Sequence, residues 1–125
     1  MPRMKTNFDV VREIALALPH VEEATLHGAP TVKLSGRLLA CSALHKSAEA
    51  NSLVVRVGME QRSALLARDP NIYYVTDHYL NYPSVLARLD RIDRKALREL
   101  LEMGWRFVTS RAKVRKGSDR GGLAT

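Results

Sequence analysis

The sequence predicts an α+β domain, an antiparallel β-sheet packed against an N-terminal and a C-terminal helix. Three observations carry that prediction. Between residues 24 and 57, short runs of alternating apolar and polar residues are separated by turn formers, the pattern of an antiparallel meander and not of βαβ units. One apolar stripe at helical spacing precedes these runs and a stronger one follows them. A chain of 125 residues with 46% hydrophobic content supports one core in one domain, assigned to residues 1–112, ahead of a basic segment 113–125.

In chain order, Thr6 or Asn7 can cap a first helix, and Asp9 in its first turn favours the positive end of the dipole. Val11, Ile14, Ala15 and Leu18 form its apolar stripe, and Pro19 ends it, which gives a helix over about 7–18. Ala24–His27 reads as a weak strand and Gly28-Ala29-Pro30 as a turn or bulge. Thr31–Leu34 alternates, with Val32 and Leu34 on one face, and Ser35-Gly36 is a two-residue hairpin turn. In Arg37–Ala43, strict alternation puts Leu39, Cys41 and Ala43 on one apolar face, so Cys41 reads as a small core residue. A polar loop, 45–52, leads to Leu53–Val57, where Leu53, Val55 and Val57 point inward. Met59–Arg68 reads as a short helix with Met59, Leu65 and Leu66 on its apolar side. Ile72–Thr76 and Val85–Leu89 read as paired strands. Asp93 caps the last helix, Ile92 and Leu97 are spaced for a hydrophobic staple, and Leu97, Leu100, Leu101, Trp105 and Val108 make its stripe. From Lys113 onward, charge, glycine and serine leave little to bury, and the composition predicts disorder.

The net charge is +7 and unevenly spread. From Arg111 to the end, five basic residues stand against one acid, Asp119, so this segment holds +4 and residues 1–110 only +3. A basic balance suits polyanionic partners and also serves solubility. No apolar run reaches the roughly 20 residues of a membrane helix, so no membrane partner is expected. The charged N-terminus lacks the apolar core of a secretory signal, and Cys41 is the single cysteine, so a reducing, cytoplasmic setting is expected.

All four tyrosines fall between Tyr73 and Tyr82, beside the adjacent pair Asp77-His78. Several stretches resemble the MmcQ/YjbR family of small bacterial proteins. They are Leu16-Ala17-Leu18-Pro19 with Val21-Glu22-Glu23; Gly28-Ala29-Pro30 with Lys33; Leu53–Val57; Thr76-Asp77-His78-Tyr79 leading to Tyr82-Pro83 and Val85–Leu89; and Leu97, Leu100, Leu101 with Trp105. The resemblance spans roughly residues 7–108. It implies a curved antiparallel sheet against helices, described for the family as a double-wing, CyaY-like arrangement, and a DNA-binding role that rests on fold analogy. The chain departs from the family pattern near Val32, where an aromatic is common, at Asn81 (glycine) and at Ser84 (tryptophan).

Each candidate for chemistry has a plain structural alternative. Asp77 and His78 could form an acid–base pair, but neighbours in extended chain point apart, so Asp77 reads more simply as a turn cap and His78 as a structural hydrogen-bonding group. His20, His27, His45, His78 and Cys41 lack the paired spacing of a metal site, so neither a metal nor a cofactor is expected. Tyr73 and Tyr74 alternate across a strand, whereas Tyr79 and Tyr82 belong to a loop and are expected at the surface. Lys33, Arg56 and Arg88 fall on the outward phase of their strands and could meet phosphates as a positive stripe on the sheet, unless acids balance them. The expected function is therefore non-enzymatic binding; the sequence does not set the oligomeric state, and a monomer is the simpler expectation. Either DNA is held on a basic sheet face by Lys33, Arg56 and Arg88, or a protein or small ligand is held by the 77–83 loop through Asp77, His78, Tyr79 and Tyr82. An apolar cleft lined by Tyr79 and Tyr82 would favour the second.

Overall fold

Asn7 opens the first helix: its backbone is extended and its side chain accepts a hydrogen bond from the Val10 N–H. In the computed structural model, which describes residues 6–121 and their side chains as far as Arg111, helix α1 runs from Phe8 to Leu16 and buries Val11, Ile14 and Ala15. The residues after it are tied down by Trp105, whose indole N–H donates to the Pro19 carbonyl at 2.9 Å.

Six strands follow: β1 (Val21–Leu26), β2 (Ala29–Leu34), β3 (Arg37–Ser42), β4 (Ser52–Arg56), β5 (Tyr73–Tyr74) and β6 (Ser84–Arg88). They form one antiparallel sheet in the order β1-β2-β3-β4-β6-β5. Helix α2 (Met59–Arg68) connects β4 to β5, and α3 (Arg94–Gly121) follows β6. The α+β architecture expected from the sequence is therefore present. Both early hairpins close through two residues of positive φ, His27 (53°) with Gly28 (82°) and Ser35 (50°) with Gly36 (83°). Those turns match the right-handed twist of their strands. The first turn lies ahead of the predicted Gly28-Ala29-Pro30, since Ala29 and Pro30 already pair with Leu26 and Thr25. Pro30, which has no N–H, sits just outside the β2–β3 ladder, which begins at Thr31.

The main departure from strict alternation lies in β3. Val32 pairs with Ala40 and the next residue, Lys33, with Leu38, so Leu39 is an extra residue, a β-bulge. Leu39 and Ala40 are consequently both buried in the core, while Leu38 and Cys41 turn to the opposite face. The expectation that Cys41 shares a face with Leu39 and belongs to the core is thus corrected: Cys41 is only half-buried.

The helix-side face carries the main core, with Val32, Ala40, Val55 and Val85 in one cross-strand row and α1 and α3 over it. Asp93 caps α3 through the Ala96 N–H at 2.8 Å, and Leu97, Leu100, Leu101 and Val108 are buried as the stripe predicts. Gly104 lets α3 touch the sheet; a Cβ there would lie 2.8 Å from the Arg56 carbonyl oxygen and 3.0 Å from the Val55 side chain. Residues 113–121, read from composition as disordered, continue the helical backbone of α3 to Gly121. A nucleated helix propagates by one hydrogen bond per added residue and needs no burial, and Lys and Arg are good helix formers. The rest of the expected basic tail, 122–125, lies outside the described residues. Among the described residues no helix is long and apolar enough to cross a membrane.

Candidate functional site, a cleft on the back of the sheet

Directly paired residues share a face. On the face away from α1 and α3, the register therefore lines up Ala24, Thr31, Cys41, Val54, Leu86 and Tyr74 in one row. A cleft of about 690 Å³ opens on this face. Its floor is Leu38, Cys41, Val54, Arg56 and Ser84, and Leu26 and His27 close one side from the β1–β2 hairpin. Leu44 and His45 come from the loop after β3, and His78, Tyr79, Tyr82 and Pro83 from the segment before β6.

Two side-chain clusters hold these loops. In the first, the rings of His45 and His78 stack with centroids 3.6 Å apart and planes 9° from parallel, and Tyr79 meets His78 edge-on at 4.8 Å. The Ser47 backbone N–H donates to His45 Nδ1, so that nitrogen is an acceptor and the ring proton sits on Nε2. Ser47 Oγ also meets Thr76 Oγ1 at 2.8 Å, which joins the two loops. Desolvation, then the neighbouring His78 and Lys46, holds the His45 pKa below its ordinary value. Burial raises that of Tyr79.

The second cluster centres on Arg62, a largely buried guanidinium on α2 that donates to the carbonyls of Leu80 (2.9 Å), Tyr82 (3.0 Å) and Ser84 (3.2 Å). It fixes the backbone on which Tyr82 and Pro83 reach the cleft. The 77–79 stretch is a single 3₁₀ turn, Asp77–Tyr79. Among the described residues, the Asp77 carboxylate makes no hydrogen bond and does not meet His78, whose ring instead stacks on His45. The expected capping role of Asp77 and hydrogen-bonding role of His78 are therefore replaced by exposure and by ring stacking.

The three basic residues expected to form one stripe share the back face but have different surroundings. Arg88 grips Glu49 through two bonds of 2.8 Å, donates to the carbonyls of Pro70 and Asn71 at 3.1 Å, and lies 4.2 Å from the Tyr74 ring. This node anchors the 43–51 loop; Tyr74 Oη also accepts from the Glu49 N–H at 2.8 Å. The hydrogen bonds and charge of Arg88 push the Glu49 carboxyl below its usual range. Lys33 lies opposite Glu22 on β1. Arg56 is two strands away from Lys33 and at the other end of the β4–β6 pair from Arg88, with Arg56 opposite Ser84 and Arg88 opposite Ser52.

Of the residues singled out from the sequence, Arg56, His78, Tyr79 and Tyr82 line the cleft and Asp77, Lys33 and Arg88 do not, while His45, Leu38 and Cys41 in its lining and Arg62 behind it had not been linked to the 77–83 loop. His45 and His78 are 33 positions apart, so only the fold joins them. Arg62 carried one signal, a basic residue within a helix that must pack on a sheet, which predicts an internal partner or a buried stem. Among the described residues no group of three His, Cys, Asp or Glu side chains could hold a metal ion.

The fold and cleft define a small α+β protein with one sheet covered by helices on one side and by loops on the other. The chain belongs to the YjbR family, whose model matches residues 16–107. It is 42% identical over 52 residues to the uncharacterized proteins Rv2570 of Mycobacterium tuberculosis and Mb2600 of Mycobacterium bovis, a match that covers 41% of this chain and 40% of those proteins. Across almost its whole length it has the fold of the Deinococcus radiodurans protein DR2400, whose domain is described as DUF419; the TM-score is 0.71 at 23% identity, covering 97% of this chain and 91% of that one.

Proposed function

We propose that this chain is a non-enzymatic module that binds a small ligand in the cleft on the back of its sheet. The supporting observation is the cleft itself. Its volume of about 690 Å³ is that of a small-molecule site, and two large apolar side chains stand in water on its lining, Tyr82 at 60% and Leu44 at 59% exposure. Side chains of that size around a concavity lose water contact when an occupant enters, which favours binding. Binding fits the chemistry of the wall better than catalysis does. The His78 ring stacks on His45 and not against Asp77, and burial pushes the Cys41 thiol up, away from the reactive thiolate. Nucleic-acid binding on the sheet face has less support, because Arg88 is committed to Glu49 and two carbonyls and Lys33 faces Glu22.

A fluorescence titration of the full chain with the neutral probe N-phenyl-1-naphthylamine tests this reading. Saturable binding at one site is expected. The double variant Leu44→Ala, Tyr82→Ala should bind about tenfold more weakly, since two apolar contact surfaces are lost. A folded chain that shows no saturable binding, or a double variant that binds equally well, would overturn it.

A further inference from the structure

We infer that the ligand of this cleft is an anion, a single carboxylate or phosphate carried on a flat apolar body, and that Arg56 is the residue that receives its charge. The inference rests on the ligand-binding reading above and goes further by naming the chemistry of the occupant.

A guanidinium has five N–H donors. Arg62 and Arg88 each give theirs to three or more protein acceptors. Arg56 gives one, from Nε to the Pro83 carbonyl at 3.2 Å. Among the described residues its remaining N–H groups meet no acceptor, and it forms no ion pair. Yet Arg56 is partly buried and lines the cleft.

Its neighbours make the lack of an anion more pronounced. The Phe107 ring on α3 carries two guanidinium groups, Arg56 at 5.5 Å and Arg111 at 5.7 Å from its centroid. Burial, and then the like charges of Arg111 and Arg37, pulls the Arg56 pKa below its ordinary value. Three cations thus gather at one end of the sheet with no carboxylate to balance Arg56 among the described residues. An oxyanion bound through the free terminal nitrogens would satisfy the unused donors in the bidentate geometry that suits carboxylate and phosphate, and would relieve the repulsion. The rest of the wall sets the body of the ligand. Leu38 and Val54 supply an apolar floor, and the stacked His45–His78 pair with Tyr79 supplies flat ring surfaces.

The test pairs two probes that differ by one charged group: 8-anilinonaphthalene-1-sulfonate and the neutral N-phenyl-1-naphthylamine. The anion should bind the full chain about tenfold or more tightly than the neutral probe. Arg56→Gln should remove that advantage by weakening the anion about tenfold more than the neutral probe. Arg111→Gln, which changes the second, exposed guanidinium at Phe107, should cost the anion a smaller factor and serves if Arg56→Gln does not fold. Displacement of the bound anion by 1-naphthoate or by 1-naphthyl phosphate supports the inference and says which oxyanion fits. If the two probes bind equally and Arg56→Gln changes neither, the anion inference fails while the cleft remains a ligand site. If neither probe binds, the ligand-binding reading fails and takes this inference with it.

Discussion

Gly104 shows how one hydrogen atom in place of a methyl group shapes the site. It allows α3 to lie directly on the Arg56 carbonyl, with room of only 2.8 Å for a Cβ. Gly104→Ala should gain helix propensity of about 1 kcal/mol but lose more by pushing backbone against backbone, for a net loss of about 1–2 kcal/mol. A lower urea midpoint with an unchanged slope checks this; a raised midpoint would mean that the helix shifts freely over β4. Residue-scale roles were legible where the residue type restricts them. The tyrosine-rich loop announced itself, and Asp93 as a cap and Gly36 in a hairpin turn follow from local chemistry. The three arginines 56, 62 and 88 look alike in the sequence. Only their partners, 17 to 39 positions away for Arg62 and Arg88, separate a loop clamp and a structural ion pair from a cation that, among the described residues, gives a single hydrogen bond.

At the scale of elements, the 43–51 loop is held by two different chemistries, the Arg88–Glu49 ion pair at one end and the His45–His78 stack at the other. The stack makes the loop sensitive to pH. The His45 pKa is lowered in the folded chain, so folding favours the neutral ring. Its contribution is complete above the unfolded value of about 6.5 and is lost as pH falls below it, because the unfolded chain takes up the proton first. A histidine NMR titration should give His45 a midpoint below 6.5, and His45→Asn should flatten the stability profile between about pH 7.5 and 5.5. A midpoint at or above the ordinary value would contradict the stacked, Ser47-bound geometry. Most elements were readable in advance because their periodicity changes cleanly, from two in the strands to about 3.6 in α2 and α3. The β3 bulge was not, since alternation cannot reveal where a strand takes in an extra residue. The continuation of α3 past Lys113 was not either, since composition speaks to burial and not to helix propagation.

For the whole molecule, charge and shape point to different partners. The sheet back is concave and mainly apolar at its centre, while +4 of the +7 net charge lies from Arg111 onward. Any affinity for DNA should therefore be non-specific and weaken steeply with salt, as counterion release requires. Replacing Lys33 and Arg56 by alanine should leave that affinity within about twofold in an anisotropy titration of duplex DNA at two salt concentrations. A salt-sensitive affinity that vanishes with those two residues would restore the sheet face as a nucleic-acid surface. The fold shared with DR2400 says how the layers are stacked, and at 23% identity it carries no further message about the occupant of the cleft.

The bulge at Leu39 has one more consequence. By rotating Cys41 out of the interior, it sets the only thiol of the chain in the floor of the cleft. A collection of small disulfide-bearing fragments offered at alkaline pH, where the burial-raised thiol ionises, would be captured by exchange in proportion to how well each fragment fits beside it. The protein would then select the shape of its own ligand, and the mass of the tethered adduct would report it.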